Sequence, residues 1–313
     1  MNILLWHIHG GYLTALAAIE HDWYVPTKPT KPEGYGGRGE GSALPARVRE
    51  IPAERVRDLD LDLVVYQTPR NYFEDGPAIL SEAQRRLPQI YIEHNTPKPD
   101  AVNMRHPLAD PAVLLVHVTH FNRLMWDNGP LASVVIEHSV AIDPSVRYTG
   151  ELERGIAVIN FPQRRPRIAG YDLFLTARER VPLDIAGLGT TDFGGLGDIP
   201  YPRLHRRVAA YRFLYSPMRW TSLPLAVVEA LTIGMPVVAL ATTELPTVIE
   251  NGVTGFISNE PDELVARMGE LLGDPTLARR LGDNAHALAG ERFGLDRFRR
   301  DWNAAFARAA ALR

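Results

Sequence analysis

Between Leu223 and Gly234 the chain reads LPLAVVEALTIG, and Glu229 is the only ionisable residue in that stretch. Leu225, Ala226, Val228, Ala230 and Leu231 surround it. A helix that is apolar on every face is a buried helix, and a carboxylate buried there needs hydrogen-bond donors. Either a neighbouring side chain supplies them in a structural ion pair, or the hydroxyls of a ligand do. A second group is Arg164, Arg165 and Arg167, which directly follow the apolar run GIAVINF. Guanidinium groups hold phosphate in a forked geometry, so this loop is either an oxyanion clamp or a solvated basic turn. A third is His94, in EHNTP, just past the run QIYIE. Polar residues at the C-terminal ends of strands are where α/β sheets bind ligands. Imidazole can share a proton near neutral pH, although a loop histidine satisfied by backbone is the plainer alternative. A fourth is Gly10-Gly11, after NILLWHIH. Paired glycines let a backbone approach phosphate or sugar closely, and a helix N-terminus behind them favours an anion. The dinucleotide fingerprint G-x-G-x-x-G is absent here.

These residues need a scaffold, and the hydrophobic pattern supplies one. Residues 211–216 read as a strand, 223–234 as a helix and 236–240 as a buried strand. Gly234 is the helix stop, Thr221 or Ser222 its predicted cap, and Pro224 falls in the first turn. Upstream, strands are predicted at 2–8, 59–67, 89–93, 113–118, 134–137, 155–161 and 183–186. Helices are predicted at 12–20, 77–86 and 204–210. Residues 27–41, rich in Pro, Gly and charge, read as a loop. Beyond the central stretch, 262–272 and 276–288 are amphipathic helices. A last helix, 295–312, carries Phe298, Trp302, Phe306 and Ala309 on one stripe, suited to docking on the first domain or to a dimer contact. Alternating strands and helices define the α/β class.

Composition narrows the function. A chain of 313 residues accommodates two domains of about 150 each. A net charge of −3 gives no electrostatic case for nucleic acid. With no cysteine, a disulfide framework, a thiolate zinc site and a cysteine nucleophile are excluded. His7, His9, His94, His117, His120 and His138 lie near predicted strand ends and could gather. They show no helical H-x-x-x-H and no acidic residues at ligand spacing, so no metal is expected. No apolar run reaches the roughly 20 residues that cross a bilayer, and MNILLWHIHGG lacks the basic region of a signal peptide. The expectation is a cytoplasmic protein, soluble or loosely membrane-associated.

The series of strand, Ser/Thr-rich turn, helix with Glu229 and GMPVV strand continues into ELPTVI at 244–249 and NGVTGF at 251–256. It resembles the C-terminal half of a family 4 glycosyltransferase, strongly over 210–256 and more weakly elsewhere. The resemblance implies the GT-B fold, α/β, with two Rossmann-like domains facing a central cleft. Residues 1–150 would be the acceptor side and 151–294 the nucleotide-sugar domain, with 295–313 a helix crossing back. It implies retaining transfer of a sugar from a UDP- or GDP-sugar to an acceptor hydroxyl, with no cofactor. Glu229 matches the second acid of the family's E-x7-E motif and is assigned to the ribose hydroxyls. Thr221 stands where the first acid belongs; its hydroxyl can still donate or accept one hydrogen bond. Gly170 and Asp172 match the Gly-x-Asp after the diphosphate-binding pair, but Ala169 replaces the expected lysine, leaving the charge to Arg164 and Arg167. The resemblance thus assigns reaction-centre roles to His94, Arg164, Arg167 and Thr221. It assigns nucleotide or substrate contacts to Gly10, Gly11, Arg165, Ser222, Leu223 and Glu229, and puts the nucleobase near residues 187–190. A nucleotide-sugar binder partnering an active transferase, and a GT-B sugar-nucleotide epimerase, are the alternatives.

Overall fold

Short aliphatic runs, mostly free of polar residues, are the signature of strands covered on both faces, and here they assemble into two separate parallel sheets. The computed structural model describes residues 1–39 and 44–312, the side chain of Pro202 excepted. Positions 40 and 41 of the predicted loop lie outside the described residues. The chain divides into unit 1, Met1–Ala141 with Leu295–Arg313, and unit 2, Ile142–Gly294.

Unit 1 opens with β1 (Asn2–Leu5), α1 (Gly10–Leu16), β2 (Asp22–Thr27), β3 (Val48–Pro52) and β4 (Leu63–Tyr66). It continues with α2 (Gly76–Ile79), β5 (Gln89–Glu93), β6 (Val113–His117), α3 (His120–Met125) and β7 (Ser133–Val135). The sheet order is β3-β2-β1-β4-β5-β6-β7, every pair parallel. Chain order reverses between β1 and β4, which is the topological switch point where such sheets bind ligands. The predicted helix 12–20 is instead Gly10–Leu16, so the two glycines form its first turn rather than a loop before it. The predicted helix 77–86 is broken. A π-helical turn at Asn71–Asp75 runs into α2, Leu80 then turns extended (φ −82, ψ 142), and a 3-10 turn follows at Gln84–Arg86. Leu80 is buried, and Gln84 Nε2 is held by the carbonyls of Val56 and Leu59. Burying Leu80 and satisfying those carbonyls outweighs helix continuity.

Unit 2 contains β8 (Leu152–Val158), α4 (Pro166–Ala169), α5 (Tyr171–Arg178), β9 (Leu183–Ala186), α6 (Tyr201–Ala209) and β10 (Tyr211–Ser216). Then come α7 (Leu225–Ile233), β11 (Val237–Leu240), α8 (Leu245–Val248), β12 (Gly255–Ser258), α9 (Pro261–Gly273) and α10 (Pro275–Arg292). Its order is β12-β11-β10-β8-β9, again all parallel. This is the other common doubly wound order, and its switch point lies between β8 and β10. The core is built on Phe174, Phe213, Val238, Leu264 and Met268, all fully buried or nearly so. Gly234 ends α7 at φ 85, a left-handed stop that L side chains rarely adopt.

The last helix, α11 (Leu295–Ala310), belongs to unit 1. Phe298, Trp302, Phe306 and Ala309 are buried. Phe298 and Trp302 meet Tyr12 edge to face at 5.9 and 6.5 Å, and Phe306 lies 6.2 Å from Trp23. Arg297 donates to the carbonyls of Glu137 and His138 at 2.9 and 2.6 Å. The stripe is therefore used inside unit 1, and the alternative of a dimer contact through it does not hold. Among the described residues no helix is long and apolar enough to cross a membrane.

Candidate functional site

At the switch point of unit 2, two loops leave β8 and β10. The first holds the three predicted arginines, all exposed. Phe161 takes a left-handed conformation (φ 47), and the Arg164 guanidinium lies 3.8 Å over its ring. Arg167 pairs with Asp172 at 2.7 Å. The second loop contributes Arg219, which sequence reasoning missed. It donates to both Asp172 oxygens at 2.7 and 2.8 Å and to the Arg167 carbonyl at 2.9 Å. The hydrogen bond from Arg219 lowers the Asp172 carboxyl against the opposing effect of burial, with the charges of Arg219 and Arg167 adding to it. Asp172 thus joins the two loops. Gly170 fits between them at φ 68, where an added Cβ would stand 1.9 Å from the Pro217 carbonyl oxygen.

α7 follows the second loop. Its cap is Pro224, extended (ψ 130) and without a side-chain hydrogen bond, so neither Thr221 nor Ser222 caps it and the helix starts two residues later than predicted. Pro224 disfavours helical backbone at Leu223, so the helix starts after it and the Ser/Thr pair falls out of capping reach. Ser222 and Leu223 are buried in the turn before the helix, and Thr221 is half-buried. Glu229, one turn into α7, is 8% exposed. Its partner is a neutral phenol: Tyr201 of α6 donates to Oε1 at 2.8 Å. Burial, reinforced by Glu229, keeps that phenol protonated far above its usual range. His205, one turn further along α6, stands 3.6 Å from the same oxygen. Among the described residues nothing donates to Oε2. Nearby, the glycine-rich turn after β9 is pinned by Thr190, whose hydroxyl donates to the Gly187 carbonyl at 2.8 Å and accepts from the Gly197 N–H at 3.0 Å. The Leu188 N–H donates to Asn160 Oδ1 at 2.9 Å, tying this turn to the one after β8.

In unit 1 the switch point gathers a different set. Gln67, just after β4, donates from Nε2 to the Trp6 carbonyl at 2.6 Å. Its Oε1 therefore accepts from His94 Nε2 at 2.9 Å, which puts the imidazole proton on Nε2. The His94 ring packs against His9 at 4.5 Å and Tyr12 at 4.8 Å, and Tyr12 against His138 at 5.7 Å. Burial, then the neighbouring His9 and His138, holds His94 well below the ordinary histidine range, so it is neutral near pH 7. Gly10 and Gly11 open α1 directly after His9. Of the other histidines, His7 bonds the Gly37 carbonyl and His117 bonds Asn128. Among the described residues no three His, Asp or Glu side chains are grouped to hold a metal.

Two parallel, doubly wound sheets of these orders are the GT-B architecture, and solved structures share this fold with the chain over nearly its whole length. Anabaena HepE in complex with UDP-glucose superposes with a TM-score of 0.72 at 17% identity, over 98% of this chain and 100% of that one. Sucrose-phosphate synthase from Thermosynechococcus elongatus gives 0.69 at 14% identity, covering 100% of both chains. In sequence, residues 191–288, which hold Tyr201, His205, Arg219 and Glu229, match the family described as Glycosyl transferases group 1. The D-inositol 3-phosphate glycosyltransferase of Streptomyces griseus subsp. griseus is 36% identical over 85 residues. That segment is 26% of this chain and spans 18% of the relative's length.

Proposed function

We propose that this chain transfers a sugar from a nucleoside-diphosphate sugar to an acceptor hydroxyl with retention of anomeric configuration, as a family 4 glycosyltransferase does. The observation that carries the reading is Glu229: a nearly buried carboxylate with one oxygen held by Tyr201 and the other accepting no hydrogen bond from the described residues. A ribose hydroxyl is the donor that completes it. The exposed Arg164, Arg165 and Arg167, with the N–H groups at the start of α7, would stabilise the departing diphosphate. Thr221 occupies the place of the family's first acid and would offer the sugar one hydroxyl. In unit 1, Gly10, Gly11 and neutral His94 would contact sugar and acceptor, and a diphosphate oxygen would take the acceptor's proton. UDP is the first nucleotide to test, because HepE is seen with UDP and UDP-glucose. The replacement of the first acid by Thr221 favours a second reading, a binder that holds the nucleotide sugar without turnover.

Calorimetric titration with UDP, GDP and ADP, with and without their sugars, tests the proposal, and release of free diphosphate in the presence of acceptor hydroxyls separates transferase from binder. Glu229→Ala should weaken the bound nucleotide by about 1–3 kcal/mol; unchanged affinity in a folded variant would refute the ribose assignment. Arg164→Ala with Arg167→Ala should weaken the diphosphate about 10-fold or more while sparing the nucleoside. Equal losses for both ligands would count against the clamp.

A further inference from the structure

Arg167, on the loop after β8, has a side chain 76% exposed, whereas that of Arg219, on the loop after β10, is 25% exposed. The more buried arginine holds the exposed one at both ends. Arg219 Nη1 donates to the Arg167 carbonyl at 2.9 Å, and Nη1 and Nη2 donate to the two Asp172 oxygens at 2.7 and 2.8 Å. Asp172 in turn accepts from Arg167 Nη1 at 2.7 Å. Arg167 is therefore fixed at its backbone by a direct bond and at its tip through one carboxylate. Among the described residues the tip is engaged through Nη1 alone, which leaves the rest of its fork to a ligand. The Arg219 N–H also donates to the Ile168 carbonyl at 2.9 Å, a backbone link between the loops that does not need the side chain. Ion pairs this exposed add little to stability. A carboxylate held by a planar fork does specify direction, and an arginine aimed in advance loses less rotamer freedom when it binds.

We infer that Arg219 and Asp172 are positioning residues for the donor's diphosphate: they aim Arg167 at it, and neither bonds the phosphate itself. The inference rests on the nucleotide-sugar reading above. The fork of Arg219 is spent on Asp172 and on the Arg167 carbonyl. Asp172 is kept ionised by the hydrogen bond from Arg219 and by the two guanidinium charges, so it repels phosphate and acts only through the arginine that it orients. Both residues therefore tune the hold on the diphosphate and leave the nucleoside contacts alone.

The test is a double-mutant cycle read by calorimetric binding of UDP, GDP and ADP, each beside its nucleoside, to wild type, Arg219→Met, Arg167→Ala and the double variant. Arg219→Met should weaken the bound diphosphate by about 3- to 10-fold and spare the nucleoside. In the Arg167→Ala background the same substitution should change nothing further, because the residue that it positions is gone. Asp172→Asn should show the same dependence on Arg167, and Arg219→Lys, which cannot span both Asp172 oxygens, should restore only part of the loss. An equal loss in both backgrounds would mean that Arg219 acts on the loop fold and not through Arg167, and would overturn the inference alone. Tighter diphosphate binding by Asp172→Asn would also overturn it, since Asp172 would then compete with phosphate for Arg167. No binding of any diphosphate would overturn the nucleotide reading and this inference with it. Should Arg219→Met not fold, Asp172→Asn in the two backgrounds completes the cycle.

Discussion

A Gly170→Val variant should lose about 10 °C or more of the melting temperature of unit 2, and nucleotide binding with it. The position is left-handed, at φ 68, and a Cβ there would lie 1.9 Å from the Pro217 carbonyl oxygen and 2.6 Å from its carbon. The obstacle is backbone, so no rotamer change relieves it. The φ penalty alone is about 1–3 kcal/mol, and displacing the loop after β10 raises the total to roughly 3–5 kcal/mol. At about 2–4 °C per kcal/mol for a domain of this size, a drop of that order follows. Gly252→Ala is the control. Its φ of 78 is equally left-handed, but a Cβ there meets nothing within 4 Å, so it should cost only about 1 kcal/mol. Differential scanning calorimetry on both variants separates collision from conformation, and similar melting temperatures would show that the two loops are not held together at Gly170.

Acidification should destabilise unit 1 before the carboxylates titrate. His117 is fully buried, with Nε2 bonded to Asn128 at 2.7 Å and no hydrogen bond at Nδ1. Burial lowers it from 6.5 to about 4, which outweighs the opposing hydrogen bond from Asn128. Below pH 6.5 the unfolded chain takes up a proton that the folded chain refuses until about pH 4, so stability falls as pH drops through that window. The full loss from this residue is about 3 kcal/mol, with about 2 kcal/mol already gone by pH 5. His94 is shifted in the same direction and adds to it. Melting curves between pH 7 and 5 should therefore slope downward, and His117→Gln should make the slope shallower. An identical slope in that variant would mean that the proton is taken up elsewhere.

Much of the scaffold was legible because it follows local rules. β5 and β9 run over the residues predicted from their aliphatic runs, and Gly234 stops α7 where its freedom at positive φ suggested. β2 and β3 were missed because their patterns are mixed. β3 reads VREIP, an edge strand with solvent-facing charge and proline, and Pro26 interrupts β2. The site was legible only in part, for a physical reason. Glu229 stood out as a charge in an apolar helix, but its partners depend on which helix packs beside α7. Starting α6 at Leu204 rather than Tyr201 left out the turn that bears the phenol; Pro200 followed by Tyr201 was the missed sign of a helix start. Arg219 reads as one more basic residue until the β8–β10 pairing brings its loop to Asp172. Likewise Gln67 fixes the His94 tautomer only because β4 and β5 are neighbours.

The placement of α11 bears on how the molecule is made. Its aromatic residues cover Tyr12 and Trp23, more than 270 positions earlier in the sequence. On the ribosome, the nascent first sheet emerges without that cover, and residues 142–294 must be synthesised before the cover arrives. At about 5–20 residues per second the wait is roughly 8–30 s. Unit 2 is continuous in sequence and can close its core during that interval, whereas unit 1 holds two large aromatic side chains open to chaperones or to other nascent chains. The helix translated after unit 2 therefore acts as the clasp of the sheet translated before it, and a frameshift or early stop near residue 295 would damage a unit whose strands were already made.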